Sequence, residues 1–209
     1  MNKTAIKFIG NVLDPINRGW VYSIVDGRDR ICLPYTTRVE LVEVSENFEH
    51  IKILEGYYKG NTVKFPFMSR DDKFHYSFLI DRCRLSKPIT LKLNHDTLKF
   101  GNFKCEVLVE KNILNNKVYC IKFPVRSNKI LPSHYFDESR GGSRFSDTWF
   151  PLQAKDELYP EKYLHFGSIS EGCLTVKYNP LINEVWNTLY TKLIHSRMNE
   201  DNLGFLTIK

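Results

Sequence analysis

Short stretches in which hydrophobic and polar residues alternate recur along most of the chain, and this pattern predicts β-strands. In the first half they cover residues 20–25, 30–33, 39–44, 50–54, 62–65 and 74–80. In the second half they cover residues 88–93, 97–100, 104–110, 117–123, 148–152, 163–166 and 204–208. Turn signals such as Asp26-Gly27 separate them. Many short strands at this spacing predict a mainly β fold, a sandwich or a barrel.

One segment near the end of the chain changes to the helical period. Its apolar residues recur every three or four positions from Pro180 to about Arg197. They are Leu181, Val185, Trp186, Leu189, Tyr190, Leu193 and Ile194. The pattern predicts one long C-terminal helix with one buried face, and Pro180 suits its first turn.

Residues 82–88 interrupt the two strand-rich regions, and we place a domain boundary there. We expect residues 1–84 to form one β-rich region and residues 85–209 to form a second domain. Residues 126–148 are rich in Gly, Pro, Ser and charge. A loop of this length is usually functional or mobile, so we expect it to form one wall of a cleft.

Composition argues for a folded core and against disorder, since 42% of the 209 residues are hydrophobic and 13% are aromatic. The formal charge of +6 is diffuse, with 13 Lys/Arg against 11 Asp/Glu in residues 1–84 and 17 against 13 in residues 85–209. Without a block of like charge, an ordinary solvated basic surface is favoured over a nucleic-acid site.

The apolar run in residues 1–10 is too short for a signal peptide, and no stretch approaches the ~18 apolar residues of a membrane span. We therefore expect synthesis in the cytoplasm and no membrane span. The five cysteines are an odd number without disulfide-like spacing.

The strongest chemical signal lies in residues 163–176, where His165 and Cys173 stand eight positions apart with glycines and serines between them. A thiol becomes a useful nucleophile when an adjacent base favours its thiolate. The spacing favours His165 as the base and Cys173 as the nucleophile. An inert buried cysteine is the alternative. Zinc binding is disfavoured because no second Cys/His pair has ligand spacing.

Residues 170–176 resemble the Ser/Thr-His-Gly-Cys segment of L,D-transpeptidases, cysteine enzymes that act on peptidoglycan stem peptides. Residues 164–167 are similar to the upstream histidine segment of that family. Residues 89–94, 98–101 and 116–124 resemble its opening strands and the strand before its active site. The resemblance covers roughly residues 85–209, and it implies that these residues form the catalytic domain and residues 1–84 an accessory β-rich region.

Two departures from the family pattern stand out. Glu171 occupies the place of the second histidine in the motif, and the interval between His165 and Cys173 is shorter. Shortened motifs of this type are similar to those of bacterial effector toxins with an L,D-transpeptidase-like fold. The departures leave the nucleophile and the base in place, and Glu171 bears on acceptor preference.

The resemblance implies a set of site residues. The catalytic residues are Cys173, His165, Gly172 and Ser170, with the N–H groups of Gly172 and Cys173 facing the oxyanion. Ser168 or Ser170 would orient His165, and the alternative for either serine is a simple turn residue. The substrate-binding residues are Ser168, Gly167, Glu171, Thr175, Trp149, His134 and Arg144. No metal or organic cofactor is implied.

The expected function is that of a peptidoglycan-active cysteine acyltransferase, with transpeptidase, carboxypeptidase and D-amino acid exchange all open. The lack of an export signal favours an effector toxin that a specialised secretion system carries to the periplasm or cell envelope. Its expected partners are stem peptides, with an immunity protein or secretion-system component as candidates. The alternatives are a catalytically inactive carbohydrate- or protein-binding β module and, from charge alone, a nucleic-acid-binding protein.

Overall fold

A computed structural model describes residues 5–23, 30–70, 74–110, 114, 118–170, 172–181 and 184–209. The chain divides into two compact units, Met1–Arg84 and Leu85–Lys209. Each unit has its own sheet and its own apolar core.

The described part of the first unit contains nine strands. They are β1 (Ala5–Ile9), β2 (Trp20–Tyr22), β3 (Cys32–Pro34), β4 (Arg38–Val44), β5 (Phe48–Ile53), β6 (Thr62–Pro66), β7 (Met68–Arg70), β8 (Phe74–Tyr76) and β9 (Leu79–Ile80). Five of them form a half-barrel sheet in the order β6-β5-β4-β1-β9, while β2–β3 and β7–β8 are separate hairpins. Alternate residues such as Ile51 and Ile53 are fully buried in the core of this unit.

The second unit contains the other nine strands and one α-helix. The strands are β10 (Ile89–Asn94), β11 (Thr97–Phe100), β12 (Phe103–Val109), β13 (Val118–Lys122), β14 (Val125–Arg126), β15 (Thr148–Gln153), β16 (Lys162–Gly167), β17 (Leu174–Lys177) and β18 (Asn202–Ile208). The helix α1 spans Val185–His195.

Eight of these strands close into a barrel in the order β13-β18-β10-β11-β12-β17-β16-β15, with β15 pairing back onto β13. The pairs β10–β18 and β16–β17 are parallel, and the remaining pairs are antiparallel. A closed barrel removes the unpaired edges that open sheets expose. The prediction of a mainly β fold with one C-terminal helix is confirmed.

Strand alternation explains which residues fill the barrel. On β10, Leu91 and Leu93 are buried while Lys92 is exposed. Residues in register on neighbouring strands share a face, so the buried set continues around the barrel. It passes through the pairs Leu93↔Leu98, Leu98↔Cys105, Val107↔Val176, Phe166↔Val176 and Phe150↔Leu164. The residues that alternate with this buried set on β15, β16 and β17 therefore lie together on the opposite face of the sheet.

Helix α1 buries Trp186 and four other apolar residues, and the Trp186 ring packs on Phe150 and Phe166 of the barrel. The apolar period predicted that this helix starts at Pro180, which is too early. Glu184 has a left-handed backbone (φ 70°), so the helix cannot extend through it, and Leu181 is 91% exposed. Residues 182 and 183 of the predicted helix lie outside the described residues.

Several predicted strands are shorter or divided. In the stretch 20–25 the described strand spans Trp20–Tyr22, and residues 24 and 25 lie outside the described residues. The stretch 74–80 is interrupted, giving β8 and β9 instead of one strand.

The 126–147 segment, which joins β14 to β15, is held by its own hydrogen bonds. It contains two 3₁₀ helices, Ser133–Phe136 and Glu138–Arg140. The Ser143 N–H donates to the Tyr135 carbonyl at 2.7 Å, and the buried Ser146 hydroxyl donates to the same oxygen at 2.6 Å. This internal bonding gives the segment a defined shape.

Candidate functional site

His165 and Cys173 come from neighbouring parallel strands. His165 lies on β16 opposite Thr175 of β17, and Cys173 immediately precedes β17. Both side chains are largely buried, with exposed fractions of 8% and 6%. Both line a cavity of about 200 Å³. The other lining residues are Lys129, Leu131, Pro132 and Tyr135 of the 126–147 segment, Trp149 of β15, and residues 166–169.

The hydrogen-bond partners of His165 define its tautomer. Nδ1 lies 3.1 Å from the Phe166 carbonyl oxygen, which only accepts, so Nδ1 carries the proton of the neutral ring. Nε2 then holds the lone pair and accepts from the Thr175 hydroxyl, whose Oγ1 is 3.1 Å away. The same hydroxyl also lies 3.1 Å from the Ile169 carbonyl oxygen. Because a hydroxyl has one hydrogen, it can donate to only one of these acceptors at a time.

The surroundings of His165 favour its neutral form. Burial is the main cause that lowers the pKa of His165 below its ordinary value of 6.5. The hydrogen bond to Phe166 opposes this shift, and the positive charge of Lys129 adds to it. The Trp149 ring stacks on the imidazole with centroids 4.5 Å apart. The ring is thus a proton acceptor at neutral pH.

The turn before Cys173 is held by two bonds. The Ser170 hydroxyl donates to the carbonyl oxygen of Cys173. Gly172 has a left-handed backbone with φ 75°, a conformation that glycine adopts without steric cost. Its N–H donates to the Glu110 carboxylate, Oε2, at 3.0 Å. The predicted oxyanion donor at Gly172 is therefore occupied by a carboxylate in this structure.

Other predicted site residues lie at or beside the cavity. Gly167, Ser168 and Trp149 line it, and the Ser168 N–H donates to the Tyr135 hydroxyl at 2.8 Å. Thr175 lies beneath it against the ring of His165. The groups that contact the ring nitrogens are thus Thr175 and the Phe166 carbonyl, where the sequence suggested Ser168 or Ser170.

The structure places two of the predicted substrate-binding residues, His134 and Arg144, away from the cavity. His134 is exposed and packs against the rings of Tyr135 and Tyr178, with centroids 4.7 and 5.3 Å away. Arg144 forms an ion pair with Glu138, with Nη2 and Oε2 2.6 Å apart. Neither residue lines the cavity. Glu171 lies outside the described residues.

The sequence missed Lys129, Tyr135 and Glu110. The first two fall in the segment predicted to form the cleft wall, but no local signal marked them. Glu110 reaches Gly172 only because β12 pairs with β17, a contact between distant parts of the chain. Thr175 lies two residues after Cys173, so strand alternation places both on the same face. The register of β16 and β17 then places Thr175 opposite His165.

All five cysteines are present as thiols. Burial raises the pKa of Cys105, on the inner face of the barrel, to about 12. Within the described residues, no group of three or more His, Cys, Asp or Glu is placed to hold a metal ion. In the same part of the chain, no helix has the length and apolar character needed to cross a membrane.

No protein-family model, curated protein or solved structure matches this chain. Its function has to be inferred from the geometry and chemistry of the site.

Proposed function

We propose that this cavity carries out cysteine acyl transfer on peptidoglycan stem peptides, with Cys173 as nucleophile and His165 as base. The observation that carries the proposal is that a buried thiol and a neutral imidazole, supplied by adjacent parallel strands, line one cavity. A nucleophile and a base that share a site, with the base oriented by a third group, form the general arrangement of nucleophilic catalysis. Here the Phe166 carbonyl orients the base.

In the proposed reaction, the Thr175 hydroxyl turns from His165 Nε2 to the Ile169 carbonyl. The freed lone pair of Nε2 takes the proton of Cys173. The thiolate attacks the carbonyl between the third and fourth residues of a tetrapeptide stem. Collapse of the tetrahedral intermediate forms a thioester on Cys173 and expels the terminal amino acid, whose amine takes the proton from His165. An amine acceptor or water then releases the acyl group.

Glu110 sets a condition on this reaction. A substrate oxyanion can use the Gly172 N–H only after the Glu110 carboxylate has left it, because one donor cannot serve both anions well. Fixed donors of this type contribute about 3 kcal/mol each to lowering such barriers. Withdrawal of Glu110 is therefore part of substrate binding in this proposal.

The substrate class is supported by the resemblance of residues 170–176 to the L,D-transpeptidase motif. The proposal extends to action in the cell envelope as an effector delivered by a specialised secretion system. An immunity protein would be the corresponding partner.

The test is mass spectrometry of purified disaccharide-tetrapeptide after incubation with the protein. We expect loss of the terminal D-alanine, an exchanged residue or a 3-3 crosslinked dimer. Cys173→Ala should abolish the product, and Cys105→Ala should retain it because that thiol lies outside the cavity. An unchanged substrate with the wild-type protein, together with a Cys173 inert to iodoacetamide, would rule out the catalytic reading.

A second candidate, a binding module without catalysis, is favoured by one observation. The Gly172 N–H and the His165 Nε2 both have protein partners in this structure. This candidate predicts measurable binding of the tetrapeptide by calorimetry with no product, and equal binding by the wild type and Cys173→Ala.

A further inference from the structure

Among the described residues that line the cavity, Lys129 is the one with a permanent charge. The remaining lining is aromatic, aliphatic or neutral polar. A single cation at the edge of a largely apolar wall gives the cavity a directional electrostatic preference.

The placement of Lys129 is defined by two contacts. Its Nζ lies 5.3 Å from the centroid of the Trp149 ring, within cation–π range. Its backbone N–H donates to the Ser127 hydroxyl at 3.1 Å, which holds the turn before it. Lys129 and His165 therefore both pack on the Trp149 ring.

The ammonium group is available to a ligand. The side chain is exposed, and among the described residues no carboxylate forms an ion pair with it. Some other basic side chains of this unit do form ion pairs, as Lys162 does with Glu157 and Lys177 with Glu106. An ammonium at the mouth of a cavity, without an acidic partner, is a receptor for a carboxylate.

We propose that Lys129 is a specificity-determining residue that binds the terminal carboxylate of a peptide whose scissile bond lies at Cys173. This inference rests on the proposed function. The carboxylate belongs to the residue that the reaction releases, so the apolar part of that residue packs against Trp149 and Tyr135. The cavity would then prefer peptides that end at the residue following the scissile bond over longer or amidated ones.

The first test needs no turnover. Iodoacetate and iodoacetamide alkylate the same thiol but differ in charge, so the ratio of their rates at Cys173 reports the local field. We expect Lys129→Met to lower the iodoacetate-to-iodoacetamide ratio by about threefold to tenfold, the effect of one nearby charge. Lys129→Arg should preserve the ratio. Lys99→Met, on the exposed side of β11, is the matched control and should also preserve it. An unchanged ratio in Lys129→Met would overturn the proposal.

The second test is calorimetric binding to Cys173→Ala protein, with a tetrapeptide stem and with its C-terminal amide as probes. Lys129→Met in this background should weaken binding of the acid by about tenfold and leave binding of the amide unchanged. If Lys129→Met weakened binding of the acid and of the amide equally, Lys129 would bind a side-chain carboxylate of the peptide, and the assignment to the terminal carboxylate would be overturned. If the wild type gives no product while the alkylation ratio and the acid preference depend on Lys129, the catalytic proposal fails and anion recognition stands.

Discussion

His165 is buried in its neutral form, and this links its chemistry to the stability of the second unit. Its pKa is lower in the folded state than the ordinary value of 6.5. Between the lowered pKa and about 6.5 the unfolded chain binds more protons, so acidification through this window favours unfolding. The loss is at most about 1.4 kcal/mol per pH unit within that window.

We therefore expect the free energy of unfolding to fall between pH 7 and pH 5, and His165→Phe to reduce that slope. Urea titrations at pH 7, 6 and 5 measure the free energy of unfolding and hence its slope with pH. Identical slopes in His165→Phe and the wild type would show that His165 does not resist protonation.

The cysteines provide an internal comparison of reactivity. Burial raises the pKa of Cys105 to about 12, so its thiolate is scarce at pH 8. We expect iodoacetamide at pH 8 to modify Cys173 well before Cys105. Peptide mapping of samples taken over time measures the two rates. Denaturation in urea should remove the difference. Faster modification of Cys105 in the folded protein would contradict both its assigned burial and the proposed role of Cys173.

The candidate site was only partly predictable from sequence. His165 and Cys173 were found because both lie in one short stretch with a recognisable spacing. Lys129 and Glu110 reach the site through the chain path between β14 and β15 and through the β12–β17 pairing, which no local pattern reveals. The sequence could not show that His134 and Arg144 lie away from the cavity, because a polar residue in a loop gives no indication of which partner it contacts.

Among the strands, the parallel pair β10–β18 depends on one glycine. A Cβ on Gly204 would lie 2.0 Å from the backbone carbonyl oxygen of Ile89, and a backbone atom cannot move aside as a side chain can. We expect Gly204→Ala to destabilise the protein by about 3 kcal/mol or more. Gly101→Ala is the control, since it has open space and φ +52°, and should cost about 1–2 kcal/mol. Urea unfolding followed by circular dichroism compares them, and equal losses would contradict the clash.

Strand alternation predicted most elements because the barrel has one buried and one exposed face along many strands. The errors have local causes. The helix began later than its apolar period suggested because Glu184 adopts a left-handed backbone, which periodicity does not register. The closure of β15 onto β13 is a long-range contact, so the sequence predicted a sandwich or a barrel without choosing between them.

In the whole molecule, each unit buries its own apolar residues. Ile9, Val39, Ile51 and Phe65 belong to the core of the first unit. Leu91, Phe150 and Trp186 are among the residues buried in the second, where the barrel closes entirely within residues 85–209. A domain with its own core and no open barrel edge meets the requirements for independent folding.

We therefore predict that a fragment of residues 85–209 folds alone and keeps the cavity, because every described lining residue and the strands that position them belong to it. The fragment should unfold cooperatively in urea and retain the preference of iodoacetamide for Cys173 over Cys105. Adding a separate fragment of residues 1–84 to the 85–209 fragment should not change the preference of iodoacetamide for Cys173 over Cys105. A broad, non-cooperative transition of the 85–209 fragment, with Cys105 and Cys173 modified at similar rates, would show instead that the barrel needs the first unit to pack. The site would then depend on the whole chain.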